Sequence, residues 1–170
     1  MYQAGALVVY GGEGVCRVES VGKLHMPGIN REKDYYTLSP LYRDGKIYTP
    51  VDTKVFMRPV ISKEEAESLI RAIPHIHAAD CTERNLRILN EHYQALLRTH
   101  QCEDMVQIIK AAYERRQERT SHGNKPGQVD ERYMKRAEDL LYGELAVALE
   151  IDRDGVEAYI QQTIEQDGCN

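Results

Sequence analysis

The side chains best suited to hold a metal lie in the stretch PHIHAADC, which contains His75, His77 and Cys81, with His92 further along. Zinc accepts nitrogen and sulfur ligands of this kind. The spacing matches no standard zinc finger, and histidines in a linker usually face solvent. A metal-dependent enzyme centred on these residues is therefore an alternative hypothesis, and the prediction is that the chain has no metal site and no cofactor.

Other groups that could support catalysis have simpler explanations. Glu64 and Glu65 lie at a predicted helix start, where carboxylates complement the helix dipole. His100 and Cys102 would suit a thiol nucleophile and its base, but nothing in the sequence orients the pair. The sequence contains no GxGxxG, P-loop or GxSxG motif. These observations predict that the protein is not an enzyme.

Charge is distributed unevenly along the chain. The net charge of the 170 residues is -5, which argues against general binding of nucleic acid. Residues 84–136, however, carry 11 Lys and Arg against 7 Asp and Glu, whereas residues 137–170 carry 1 against 9. A basic segment followed by an acidic one can mark a localised phosphate-facing surface, although charge alone favours the plainer interpretation. The alternative is a set of solvated helix faces.

The basic segment supplies the candidate phosphate ligands, which we expect on three successive helices. Arg132 and Arg136 are four residues apart and would share a helix face. Glu114 and Glu118 lie among the same residues and favour the solvated alternative. The full set of candidates is Arg84, Arg87, Arg98, Lys110, Arg115, Arg116, Arg119, Arg132, Lys135 and Arg136.

Residues 1–60 have the pattern of β structure. The run Val15–Val21 alternates apolar and polar residues, as a half-buried strand does, and the Gly-Gly-Glu-Gly before it predicts a turn. Short strands at near-regular spacing predict a small SH3-like or Tudor-like barrel, whose open edges suit pairing with a partner strand. The predicted strands are 7–10, 15–21, 34–38, 46–49 and 54–57.

Residues 61–170 predict about five helices, which makes the chain α+β with a second, all-α domain. Ser62 and Glu65 form the S-x-x-E pattern of a capping box, and this helix should end before Pro74. The second helix is expected to start between residues 80 and 83 and to run to about 99. The third helix carries a stripe of apolar residues that should face the core. The fourth helix is expected at about 129–149, and the last helix should begin near residue 154. The stripe comprises Met105, Ile108, Ile109, Ala112 and Tyr113.

Composition places the protein in the cytoplasm. No apolar run is long enough to cross a membrane, and no secretory signal is visible at the N-terminus. The four cysteines contain no CxxC pair, which favours free thiols in a reducing compartment. We expect a monomer that does not bind membranes.

Several motifs resemble the CarD/CdnL family of bacterial transcription regulators. The pattern comprises Gly5-x-x-Val8-Val9-Tyr10, Gly14-Val15, Tyr35-Tyr36-x-Leu38 and Ile47-x-Thr49-Pro50-Val51. It is similar to the N-terminal module that this family shares with the transcription-repair coupling factor. The helical half resembles the family in Arg115-Arg116-Gln117-Glu118-Arg119 and in Ala137-Glu138-x-Leu140-Leu141-x-Gly143-Glu144-Leu145-Ala146.

The resemblance implies that a Tudor-like domain, residues 1–60, docks on the RNA polymerase β subunit. A helical domain, residues 61–170, then contacts promoter DNA at the upstream edge of the bubble and modulates the stability of the open complex. The same resemblance implies a nucleoid-associated location and weak, tethered DNA binding. The alternative is a protein-only adaptor that binds polymerase without touching DNA.

The resemblance also assigns residues. Polymerase-binding positions fall at Lys23, Leu24, Lys46 and Tyr48. In the DNA-facing helix the resemblance places Leu86, next to Arg87, and the basic segment adds Arg84, Arg119, Arg132 and Arg136 to the predicted DNA-binding residues. Leu86 occupies the place where many relatives have a Trp wedge, and Glu131 a place where they have a basic residue. An ordinary core position is the alternative for Leu86.

Overall fold

The computed structural model describes residues 1–82 and 84–168. The chain divides into two compact units, Met1–Ile61 and Ser62–Asn170. Across the described residues, the first unit contains the β-strands and the second the α-helices, so the predicted α+β class is confirmed. None of the described helices combines the length and apolar character needed to span a bilayer.

The N-terminal unit is one antiparallel sheet of five strands in the order β4-β3-β2-β1-β5. The pairing of β2 with β3 shifts register between Val18 and Ser20, which bends the strand as a β-bulge does. β4 and β5 form the two edges of this sheet. The strands are β1 (Leu7–Tyr10), β2 (Val15–Lys23), β3 (Asp34–Pro40), β4 (Ile47–Pro50) and β5 (Met57–Pro59).

The Gly-Gly-Glu-Gly segment forms the turn between β1 and β2. Its first three residues are a 3-10 turn, and Gly11 and Gly14 have φ angles of 46° and 79°. Such angles favour glycine because a Cβ would clash with the backbone. A Cβ on Gly11 would also lie 3.0 Å from Cγ1 of Val55. The glycines of this segment are therefore explained by the backbone conformation of the turn.

The prediction for the fifth strand was wrong in position. It placed the strand at 54–57, whereas β5 starts at Met57, opposite Tyr10 of β1. Val55 and Phe56 are exposed before it, and the Phe56 carbonyl accepts a hydrogen bond from the Gly11 N–H at 2.8 Å. The start of β5 is set by pairing with β1, some 45 residues earlier in the chain. Local composition therefore does not predict where this strand begins.

The core of the sheet contains a buried thiol whose protonation should influence stability. Val8, Cys16, Val18, Tyr36 and Leu38 form this core. Burial, with a smaller contribution from Glu13, raises the pKa of Cys16 from 9.0 to about 11. The folded state therefore holds the proton over a pH range in which the unfolded thiol has lost it.

We expect the N-terminal unit to lose stability as the pH rises from 9 towards 11, since the contribution of Cys16 is complete below the unfolded pKa and disappears through the folded one. Urea unfolding at several pH values, followed by tyrosine fluorescence, measures the loss. Tyrosines also ionise in this range, so the matched control is Cys16→Ala, which should flatten the pH dependence. An equal slope in both proteins would contradict the prediction.

The helical unit is built around its longest described helix. α4 packs against α1, α2, α3 and α5. Its buried face includes Tyr133, Ala137, Leu141 and Leu145, which recur with the 3.6-residue period of an amphipathic helix. The helices are α1 (Lys63–Ala72), α2 (Leu86–Leu97), α3 (Cys102–Ser121), α4 (Gln128–Leu149) and α5 (Val156–Gly168).

Capping residues determine where the first two helices begin. Ser62 and Glu65 form the predicted capping box, with the Glu65 N–H donating to Ser62 Oγ at 3.0 Å. The predicted start of α2 between residues 80 and 83 was wrong, although Glu83 itself lies outside the described residues. Asn85 caps this helix and its Oδ1 accepts from the N–H of Arg87 at 3.0 Å. Arg84 therefore precedes α2, and Arg98 is its C-cap.

The predicted inward stripe of α3 is correct only in part. Met105, Ile108 and Ala112 are buried, but Tyr113 is exposed, and Val106 is buried in addition. The Arg116 guanidinium lies 5.5 Å from the centre of the Tyr113 ring. An exposed tyrosine satisfies the apolar periodicity without being a core residue, because its ring is amphipathic.

Candidate functional site

A buried ion pair fixes the segment that leads into α2. Asp130 Oδ1 accepts hydrogen bonds from Tyr93 Oη at 2.7 Å and from Arg115 Nε at 2.8 Å. Arg115 also donates through Nη1 to the carbonyl of Cys81. The Asp130 side chain is only 3% exposed. This network joins α2, α3, α4 and the chain before α2, and so holds the neighbourhood of Leu86 in place.

The same network perturbs two ionisable groups. Burial, together with the hydrogen bond to Asp130, raises the pKa of Tyr93 well above its usual range. Burial also raises the pKa of the Cys81 thiol, partly offset by the neighbouring Tyr93 hydroxyl and the Arg115 guanidinium. Both groups are therefore neutral at neutral pH, and the Tyr93 hydroxyl acts as a structural donor to Asp130.

Leu86 is the most exposed of the large apolar residues in the described part of the helical unit. It is the first residue of α2 and is 62% exposed, so it does not lie in the core of the helical unit. Arg84 and Arg87, both exposed, lie on either side of it in the sequence. The structure thus leaves a large apolar side chain at the surface, next in sequence to two exposed cations.

A further predicted arginine, Arg119, lies near Leu86. Arg84, Leu86 and Arg119 line one groove of about 870 Å³. Leu86 and Arg119 also line a smaller cavity of about 310 Å³ at the start of α4. Arg119 is oriented by a hydrogen bond from its Nε to the Lys125 carbonyl at 2.7 Å. The structure thus brings together three residues that are up to 35 positions apart.

Arg132 and Arg136 lie one turn apart on the exposed side of α4. Arg132 Nη2 donates to Asn90 Oδ1 of α2 at 3.0 Å, and its guanidinium lies 5.2 Å from the centre of the Tyr133 ring. Because Asn90 is one helical turn after Leu86, Arg132 is placed on the side of α2 that carries Leu86. We call Arg84, Leu86, Arg87, Arg119 and Arg132 the α2 basic surface.

Other cations of the basic segment have internal roles. Arg115 pairs with Asp130, and Arg116 lies 3.5 Å from Glu131. Lys110 donates to the carbonyls of Ile73 and Ile76, the latter at 2.6 Å. These three side chains are therefore held by partners within the helical unit. Because Arg115 and Arg116 are paired with carboxylates, the sequence total of 11 cations overstates the charge available to a phosphate.

The metal hypothesis finds no support in the geometry. Within residues 1–82 and 84–168, no group of three or more His, Cys, Asp or Glu side chains is placed to hold a metal. Cys81 is buried, whereas His75 and His77 are exposed on the connector. The sequence places these residues close together, but they face different environments.

The predicted polymerase-binding residues lie on the β3–β4 side of the sheet. Tyr48 is 41% exposed in the middle of edge strand β4, opposite Thr37. The Lys46 ammonium donates to Ser39 at 2.8 Å. Lys23 donates to the Glu32 carbonyl at 3.0 Å, near the other end of β3. Lys23 and Leu24 are thus separated from Lys46 along the strand, with Tyr48 between them.

The backbone of Tyr48 is oriented for strand pairing. The Val51 N–H donates to the Asp34 carbonyl at 3.0 Å. Hydrogen-bonded and non-hydrogen-bonded pairs alternate along antiparallel strands, so Tyr48 directs both its N–H and its C=O away from β3. An edge with outward-facing donors and acceptors is a template for a further strand.

The comparison with protein families identifies the domain that contains this sheet. The model of the CarD-like/TRCF RID domain matches residues 2–61. The chain contains a CarD-like/TRCF RID domain. Over residues 2–61 the match confirms the resemblance and the Tudor-like fold of the RID domain, and it supports RNA polymerase as a partner in transcription. The comparison with curated proteins gives no match.

Proposed function

We propose that the protein is a transcription regulator that docks on the RNA polymerase β subunit and contacts promoter DNA at the upstream edge of the bubble. The observation that carries the DNA part is Leu86, 62% exposed at the start of α2 within the α2 basic surface. In this role the protein modulates the stability of the open complex.

The RID domain supplies the attachment. The β4 edge of the sheet offers an outward-facing backbone at Tyr48 and an exposed aromatic ring at the same residue. Strand addition at such an edge combines main-chain hydrogen bonds with side-chain contacts, and aromatic residues are enriched at interfaces. A strand of the β subunit is the proposed partner of β4.

The helical domain supplies the effect on promoter melting. Apolar side chains inserted at a base step partly unstack it, and neighbouring cations bind the phosphates. A protein that binds the melted state more tightly than the closed one shifts the equilibrium by that difference in affinity. Attachment to polymerase raises the local concentration, so a chain with a net charge of -5 needs only weak DNA contacts.

The proposed role is one of binding in the cytoplasm, close to the nucleoid, and it requires no catalytic group. The test is a footprint of polymerase holoenzyme on a promoter, with and without the protein. New protection at the upstream fork, together with a longer-lived open complex, supports the proposal. Unchanged protection and lifetime would reject the DNA contact.

A protein-only adaptor remains the second candidate, and one observation favours it. Arg115 and Arg116 pair with carboxylates of α4 at 2.8 Å and 3.5 Å. This consumes part of the basic charge that suggested DNA binding. An adaptor would be retained by the β subunit and yet leave the fork unprotected in the footprint.

We expect Tyr48→Pro to weaken binding of the full-length protein to the β subunit about tenfold, and Tyr48→Ala to weaken it less. Proline removes the outward N–H that strand pairing needs, and edge positions of this kind tolerate proline. Surface-immobilised β subunit measures the affinities. Tyr42→Ala, at a tyrosine of equal 41% exposure, is the control and should bind normally. Equal loss in all three variants would exclude edge pairing at β4.

A further inference from the structure

Asn90 of α2 links two residues of α4. Its Oδ1 accepts hydrogen bonds from Arg132 Nη2 at 3.0 Å and from Tyr133 Oη at 2.5 Å. An amide oxygen has two lone pairs, and an arginine can only donate. The amide orientation therefore follows from its partners, and the oxygen is the atom that makes both contacts.

Tyr133 is itself held rigidly. It is buried, and its ring stacks on Tyr93 with centroids 5.1 Å apart. Tyr93 is fully buried and donates to Asp130. The Arg132 guanidinium thus lies against two fixed groups, the amide of Asn90 and the face of the Tyr133 ring, although the arginine is exposed.

The partner of Arg132 is neutral, in contrast to the partners of nearby cations. Arg115, Arg116 and Lys135 contact Asp130, Glu131 and Asp139 respectively. Of the carboxylates in the described part of the chain, none forms an ion pair with Arg132. An amide orients a guanidinium without cancelling its charge, and a guanidinium already in place loses less conformational freedom when it binds a phosphate.

We infer that Asn90 is a positioning residue, which holds Arg132 in one orientation with its full charge so that it meets a DNA phosphate beside Leu86. This inference rests on the proposed function. Asn90 thus becomes part of the site, and its role accounts for an uncharged side chain one helical turn after Leu86. The ligand of Arg132 is a backbone phosphate of the promoter duplex.

The test compares Asn90→Asp, Asn90→Ala and Arg132→Ala in the full-length protein with polymerase holoenzyme. Asn90→Asp keeps the acceptor and adds a carboxylate that neutralises Arg132. We expect it to shorten the open-complex lifetime about fivefold, as Arg132→Ala does, and to lower the salt slope of promoter binding by about one. Asn90→Ala should shorten the lifetime less, because the charge remains. Thermal unfolding midpoints check that each variant folds.

A merely structural Asn90 predicts a different pattern, since Asn90→Asp would then resemble the natural protein in lifetime and salt slope. That result, with Arg132→Ala still impaired, would overturn the inference and leave the proposed function intact. Asn30→Asp is the control for an equal change of net charge at an exposed position in the RID domain. Absence of any effect of the natural protein on the fork would overturn the proposed function and this inference together.

Discussion

Asp130→Ala is expected to lower the free energy of unfolding of the helical unit by about 3–5 kcal/mol, the usual cost of removing one partner from a buried ion pair. The Asp130 side chain is 3% exposed, and its Oδ1 accepts from both Tyr93 and Arg115. Without it, a buried hydroxyl and a largely buried guanidinium lose their acceptor. Unfolding domains of this size typically costs only about 5–15 kcal/mol.

The cost should extend to the α2 basic surface. Arg115 reaches the Cys81 carbonyl as well as Asp130, and the segment that follows Cys81 leads to Asn85 and Leu86. A guanidinium that has lost its carboxylate no longer holds this carbonyl in a fixed position. The variant should therefore bind fork DNA more weakly even at temperatures at which it stays folded.

Urea unfolding followed by far-ultraviolet circular dichroism measures the stability change, since the helices dominate that signal. Asp139→Ala is the matched control, because Asp139 contacts exposed Lys135 at 3.3 Å on the same helix. Such an exposed pair contributes about 0.5 kcal/mol or less. A loss below about 1 kcal/mol for Asp130→Ala would show that the network is dispensable.

Local signals in the sequence were sufficient for much of the fold. The strand predicted over 15–21 and the capping box at Ser62 each depend on a few neighbouring residues, and both appear in the structure. The inward face of α4 follows from its 3.6-residue period in the same way. These features needed no knowledge of distant contacts.

The sequence could not show which cations belong to the fold. Arg115 and Asp130 are 15 residues apart and meet only because α3 and α4 pack together. Asp130 also lies in the first turn of α4, where an acidic residue is expected for its effect on the helix dipole. Nothing in the sequence therefore indicated that Asp130 is buried. Without that information, the arginines that stay on the surface could not be distinguished from those that pair inside the fold.

The exposure of Leu86 was equally hidden. A leucine near a helix start is usually a core residue, and α2 was predicted to begin several residues earlier. Asn85 was the available signal, because asparagine is among the preferred N-cap residues. With the helix starting at Leu86, the periodic stripe continues through Leu89 and Tyr93, which are buried, and Leu86 lies beyond the core.

Leu86→Ala is expected to shorten the lifetime of the open complex about tenfold, without changing the affinity for the β subunit. The side chain is 62% exposed in the free protein, so it has most of its surface to bury against a base step, and burying a leucine stabilises by about 1.5–3 kcal/mol. Removing it takes away a contact that the proposed mechanism makes only with melted DNA. Competitor-challenge kinetics on a promoter measure the lifetime.

Two further variants make the Leu86 prediction sharp. Ile88→Ala removes another exposed apolar side chain of α2, 42% exposed, and should leave the lifetime unchanged, because residues two apart face different sides of a helix. Leu86→Trp should lengthen the lifetime, since a larger aromatic surface stacks better at an opened step. Equal losses for Leu86→Ala and Ile88→Ala would point to a general apolar effect of α2 and would remove the wedge from the mechanism.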